Sequence, residues 1–169
     1  MNISQSNFKL VNKQDGFTLI ELVVVIIILG VIAVTAVPKY IDLQDDAKTA
    51  SLQAIKGALE SAIKLVYSKS IIKGNQNLAR ASGVDVDING TTLDIKYGYP
   101  LANYASANGS WDDLIELDRE FFSSTIVGGH FVIYIGEKVP TGLQDECMVG
   151  YKQVDGISSS PEITLNECG

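Results

Sequence analysis

The stretch GFTLIELVVVIIILGVIAVTAVPKY, Gly16 to Tyr40, governs the reading of everything around it. From Phe17 to Val37 it is almost wholly apolar, broken by one carboxylate at Glu21 and by two threonines. Rising as a helix, it is roughly 31 Å long, which matches a bilayer hydrocarbon core of about 30 Å. A helix of this kind can span a membrane. A carboxylate inside such a run costs at least a few kcal/mol unless it is paired or reaches the headgroups. Glu21 is therefore either an interfacial acid or a functional group with a partner.

Working outward on the N-terminal side, residues 1–16 are polar and read as a leader, with an abrupt change of character at Gly16-Phe17. Lys9 and Lys13 keep that end on the cytoplasmic side. A secretory signal peptide ending in small residues near Ala36 is the competing reading, and it would release a free secreted domain. The run fits it poorly, being longer than an h-region, carrying Glu21, and passing into a helical pattern without a loop.

On the C-terminal side the helical reading continues to about Lys73. Ala47, Ala50, Ala54, Ile55, Ala58, Leu59, Ala62, Ile63 and Val66 recur at spacings of three and four, with Asp45, Lys48, Lys56, Glu60, Lys64 and Lys69 on wetter positions. Gly30 and Pro38 are the weak points of the helix, where a kink or local unwinding is expected. Gly74-Asn75 reads as the stop.

Beyond it the period changes to two. Val84, Val86 and Ile88 alternate with Asp85, Asp87 and Asn89, the pair Asn89-Gly90 turns, and Leu93, Ile95 and Tyr97 alternate on the return, which predicts a hairpin. Ser110-Trp111-Asp112-Asp113 resembles a capping box opening a short helix to about Leu117. Strands are expected at 130–135, 147–151 and 162–165. The fold class is α+β: a long N-terminal helix, half membrane-spanning and half amphipathic, packed on an antiparallel sheet. The expected divisions are 1–16 as leader, 17–43 as the membrane-spanning helix half, 44–74 as the amphipathic half, and 75–169 as a β-rich head.

Composition narrows the function. The formal charge is −7, and loss of a leader carrying Lys9, Lys13 and Asp15 makes the chain more acidic still. Nucleic acid is not an expected partner, since no basic patch is visible. Cys147 and Cys168 would lie in a compartment that permits disulfides, and with two cysteines the pairing is unambiguous if a bond forms. Closing a loop of about 20 residues contributes on the order of 3 kcal/mol by the loop-entropy argument.

Asp85-x-Asp87-x-Asn89-Gly90 opens like a calcium loop, but Lys96 stands where a bidentate Glu is needed, so a hairpin with a wet face fits better. His130 reads as a strand residue, and the acid pairs Asp45-Asp46, Asp112-Asp113 and Asp145-Glu146 as solvated surface. Asn89-Gly90-Thr91 and Asn108-Gly109-Ser110 fit a glycosylation pattern that turn and cap roles explain equally. No catalytic residues, metal site or cofactor are expected. A membrane-tethered enzyme or binding module would instead show a pocket with clustered titrating groups.

G-F-T-L-I-E at a polar-to-apolar junction resembles the prepilin cleavage motif of type IV pilins, and GFTLIELVVVIIILGVIAVTAVPKYIDLQDDA looks most like the mannose-sensitive haemagglutinin type of major pilin. The resemblance is strong from Gly16 to about Ala62. It implies cleavage between Gly16 and Phe17 by a prepilin peptidase, N-methylation of Phe17, and pairing of Glu21 with a neighbouring subunit's Phe17 amine. Asp15 departs from the basic or neutral residue usual in such leaders. The resemblance further implies extension near Gly30 and Pro38 in a filament, and a disulfide-bounded loop at Cys147 and Cys168. The expected function is that of a major structural subunit, held in the inner membrane until the assembly machinery polymerises it with its own copies into a surface fibre used for attachment. The alternative is a pseudopilin of type II secretion, which shares the N-terminal stretch.

Overall fold

The structure, a computed structural model, describes residues 16–81 and 83–169. Most of the leader expected at 1–16 therefore lies outside the described residues. The chain divides into two units, one ending at Tyr40 and the other comprising Ile41–Gly169.

Helix α1 spans Leu19–Lys73. All residues from Gly16 to Gln44 are exposed, so no described residue covers the apolar run. The helix passes through Gly30 and Pro38 without interruption, and the local unwinding expected there is not a property of the single chain. Proline removes one backbone donor, and strong helix-forming sequence on both sides keeps the remaining ladder. At the other end the Gly74 N–H donates to the Ile71 carbonyl at 3.1 Å and the Asn75 N–H to the Ser70 carbonyl at 3.2 Å. These two bonds make a Schellman ending. Ser70 and Asn75 are buried polar residues joined by a 2.8 Å hydrogen bond, and Asn75 Nδ2 donates to the Asp85 carbonyl at 2.8 Å, tying the helix end to the first strand.

In the Ile41–Gly169 unit the helix buries Leu52, Leu59, Ala62, Ile63 and Val66. The alanines Ala47, Ala50, Ala54 and Ala58, expected on that stripe, are exposed instead. They occupy the adjoining face; the larger Leu52, which the alanine spacing hid, takes the core position, where burying a leucine contributes about 1.5–3 kcal/mol.

A three-stranded antiparallel sheet follows: β1 (Asp85–Ile88), β2 (Thr91–Lys96) and β3 (Tyr99–Pro100), in that order. Val86 pairs with Leu93 and Ile88 with Thr91, so Asn89-Gly90 is a two-residue turn with φ of 53° and 86°. This is the type I′ hairpin. Tyr97, expected on the strand, lies in a second such turn with Gly98 at φ of 51° and 85°, because Lys96 pairs with Tyr99. Val84, Val86, Ile88, Leu93 and Ile95 pack together with Val66 of the helix.

The second sheet is a four-stranded antiparallel meander, β4 (Ser123–Val127), β5 (His130–Tyr134), β6 (Met148–Lys152) and β7 (Glu162–Asn166). Its β5 and β6 residues Phe131, Ile133, Val149 and Tyr151 face Leu52, Leu59, Ala62 and Ile63. Val127, Val132, Tyr134 and Met148 cluster separately, with Leu143 against them. Strand β4 was not anticipated; Ser123-Ser124-Thr125 at a sheet edge carries no apolar alternation to read.

The helix expected from Ser110 to Leu117 shrinks to a single 3-10 turn at Trp111–Asp113. The Asp113 carboxylate accepts both the Ser110 N–H at 2.7 Å and its hydroxyl at 2.9 Å. Trp111 stacks on Phe131 with ring centroids 4.7 Å apart and meets Tyr151 edge-on. Past it, Ile115 and Leu117 are buried around an exposed Glu116, the period of extended chain rather than of helix.

Candidate functional site

The sequence motifs converge on the first turn of α1. Gly16, Phe17 and Thr18 precede the helix and are exposed, and Phe17 keeps 74% of its surface. No described residue covers either side of the Gly16–Phe17 peptide. A Cβ at Gly16 would meet nothing within 4 Å, so this chain's own packing does not require glycine there.

Thr18 caps the helix. Its N–H donates to Glu21 Oε2 at 2.8 Å, its hydroxyl donates to the same oxygen at 2.7 Å, and the Glu21 N–H returns a bond to the hydroxyl at 3.3 Å. Leu19 opens the helix, so Thr18 and Glu21 stand three apart at the cap and third positions, a reciprocal capping box. A negative charge in the first turn also complements the helix dipole. The sequence reasoning missed Thr18, although the signal was present as T-x-x-E before an apolar run. The box supplies Glu21 with neutral donors, and among the described residues no cation pairs with it. A cation brought to Thr18 would meet a carboxylate already fixed in position.

Gly30 lies in the helix with nothing within 4 Å of the place a Cβ would take, so its glycine too is not demanded by packing inside the chain.

Far along the chain, Cys147 and Cys168 are bonded, with Cα atoms 4.2 Å apart. The Cys147 N–H donates to the Glu167 carbonyl at 3.0 Å and the Cys168 N–H to the Thr49 hydroxyl at 3.0 Å, which fastens the C-terminal end to the helix. The Asp145 carboxylate accepts the Thr141 N–H at 2.7 Å and the Gly142 N–H at 3.2 Å. Those backbone bonds hold its carboxyl below the ordinary aspartate value.

The remaining sequence candidates have local duties. Asp87 accepts the Gly90 N–H at 3.2 Å within the hairpin turn, and Asp85 pairs with Lys73. His130 Nδ1 lies 3.1 Å from the Gly128 carbonyl at the β4–β5 turn. The Asn108 amide donates to Asp94 at 3.1 Å.

Residues 11–37 match the prokaryotic N-terminal methylation motif. The chain is 43% identical over 73 residues to the type IV narrow pilus major component of Thermus thermophilus, covering 42% of this chain and 63% of that protein. It is 32% identical over 98 residues to a fimbrial protein of Neisseria meningitidis serogroup A, covering 56% of this chain and 58% of the relative. A fimbrial protein of Pseudomonas aeruginosa is 37% identical over 73 residues, 43% of this chain and 44% of the relative. The chain thus spans less than two thirds of the length of each. No solved structure matches it. Over its N-terminal part the chain is thus similar to pilus and fimbrial proteins, and it carries their methylation motif ahead of a long helix and antiparallel sheets.

Proposed function

We propose that this protein is a structural subunit of a type IV pilus, polymerising through its N-terminal helix into surface fibres used for attachment. The observation that carries the reading is the wholly exposed apolar stretch of α1 behind a capped Glu21. Such a surface needs either lipid or copies of itself. The similar proteins, a pilus component and fimbrial proteins, favour this over a pseudopilin. The wording of the Gly16–Ala47 stretch favours the mannose-sensitive haemagglutinin type of major pilin.

On this reading a prepilin peptidase cuts between Gly16 and Phe17, and the new Phe17 amine is methylated. Residues 17–43 hold the subunit in the inner membrane and then line the fibre core, 44–74 carry the head formed by 75–169, and inner-membrane machinery drives the exchange. Gly30 and Pro38 let the helix extend when neighbours pack against it. The exposed Ala47, Ala50, Ala54 and Ala58 offer a small-residue face for close approach of a neighbouring helix.

Glu21 acts as an electrostatic guide. Two unpaired charges in an apolar bundle each carry a desolvation cost of several kcal/mol, and an incoming subunit's Phe17 amine offsets both. Glu21→Ala should leave membrane insertion, cleavage and the head fold intact while sheared-fibre yield falls sharply relative to total mature subunit. Normal yield at equal subunit level would reduce Glu21 to an interfacial acid.

A further inference from the structure

A cavity of about 440 Å³ opens within the Ile41–Gly169 unit, lined by Arg80, Lys96, Leu101, Asn103, Ser106 and Gln153 among others. Among the described residues no Asp or Glu lines it, although the whole chain carries a formal charge of −7. Its side chains come from distant parts of the sequence and are held by hydrogen bonds to backbone groups. Arg80 donates to the Ser106 carbonyl, and Gln153 Oε1 accepts the Ala102 N–H at 3.0 Å. Asn103 Oδ1 accepts the Ala105 N–H at 2.9 Å.

These bonds decide what the cavity can recognise. The acceptor oxygens of both amide side chains are occupied by backbone N–H groups, which leaves Asn103 Nδ2 and Gln153 Nε2 as donors. Among the described residues neither Arg80 nor Lys96 is in a salt bridge. The polar lining is thus rich in donors and carries two positive charges, with the Ser106 hydroxyl able to donate or accept.

We propose that this cavity binds an acidic saccharide through its oxyanion group, a carboxylate or a sulfate. The Arg80 guanidinium presents a planar fork suited to either anion, Lys96 adds a point charge, and the amide donors meet hydroxyl and ring oxygens. The volume falls in the range of small-molecule sites, so one sugar residue fits. Nucleic acid is disfavoured as the ligand, because binding it depends on neutralising several phosphates along a track. Two cations on an acidic chain do not make one.

The test titrates the full-length mature chain, in detergent micelles, with tetrasaccharides of hyaluronan (carboxylate alone), chondroitin sulfate (carboxylate and sulfate) and maltose units (neutral). At least one acidic probe should bind and the neutral one should not; binding of hyaluronan assigns the carboxylate, and binding of chondroitin sulfate alone assigns the sulfate. Asn103→Asp and Gln153→Glu keep the oxygen that accepts the backbone N–H and replace the free donor with a negative acceptor. Each should weaken binding by about tenfold or more with the thermal midpoint unchanged, as should Arg80→Gln, while Lys138→Gln should bind as the unaltered chain does. Failure of both acidic probes, equal binding of the neutral one, or unchanged affinity in Asn103→Asp and Gln153→Glu would overturn the proposal. Tighter binding of a short DNA duplex than of either acidic saccharide would overturn the saccharide assignment. The readout is on single subunits, so a failure here is distinct from a failure to polymerise.

Discussion

On the proposed reading, Glu21 serves two states. In the single chain its carboxylate closes a capping box with Thr18, worth about 1 kcal/mol to the helix start. In an apolar assembly the same neutral bonds are insufficient, because hydrogen bonds from a hydroxyl and an amide do not cancel a charge. The apolar run made the acid conspicuous in the sequence, whereas Thr18 was read as a break in the run instead of as a cap. Asp145 was likewise legible only as a surface acid. Its role depends on the turn that brings the Thr141 and Gly142 N–H groups to it, and no local spacing announces that. Since its folded-state carboxyl lies below the ordinary value of 3.8, the stability it contributes is fully present above that value and is lost as pH falls through the depressed one. Asp145→Asn should therefore melt below the unaltered chain at neutral pH, and in calorimetric scans the gap should narrow as the pH falls below 3.8. A gap independent of pH would separate the loop's stability from that carboxylate.

Among the elements, those with a strong period were the ones the sequence revealed. Helix α1 ends at Lys73 with Gly74 and Asn75 as its stop, and the Asn89-Gly90 hairpin forms in the register its alternation requires. Elements shaped by distant partners were not visible. The Ser110 capping box forms, yet burial of Trp111, Ile115 and Leu117 pulls the following chain out of helix. The two I′ turns of the first sheet differ in a way that can be measured. Gly90 has open space around it, whereas a Cβ on Gly98 would stand 2.9 Å from the Tyr67 ring and 3.3 Å from the Gln76 Cα. Gly90→Ala pays only the left-handed backbone penalty of about 1–2 kcal/mol, and Gly98→Ala adds displacement of Tyr67, which stacks on Tyr99 at 4.6 Å. Urea denaturation should find Gly98→Ala the more destabilised of the two; equal losses would mean that Tyr67 yields without cost.

At the scale of the molecule, one chain carries an apolar stretch that no described residue covers and a head with its own core. The head's last strand is held twice, by the Cys147–Cys168 bond and by the Cys168 N–H on Thr49. Replacing both cysteines with serine should lower stability by about 3 kcal/mol, as expected for a cross-link between residues 21 apart. Alkylation without reductant should label neither cysteine of the unaltered protein. A double serine variant as stable as the parent would show that the Thr49 contact suffices.

The central claim, a subunit cut at Gly16–Phe17 and polymerised through the exposed helix, is tested most directly by the N-terminal peptide of sheared surface fibres in mass spectrometry. The account predicts fibres whose subunits begin with N-methylated Phe17. It also predicts that Gly16→Leu leaves the fold untouched, since no described residue lies within 4 Å of a Cβ there, while uncut precursor accumulates in the membrane. A mature chain beginning near Val37, or one retaining residues 1–16 within fibres, would contradict it.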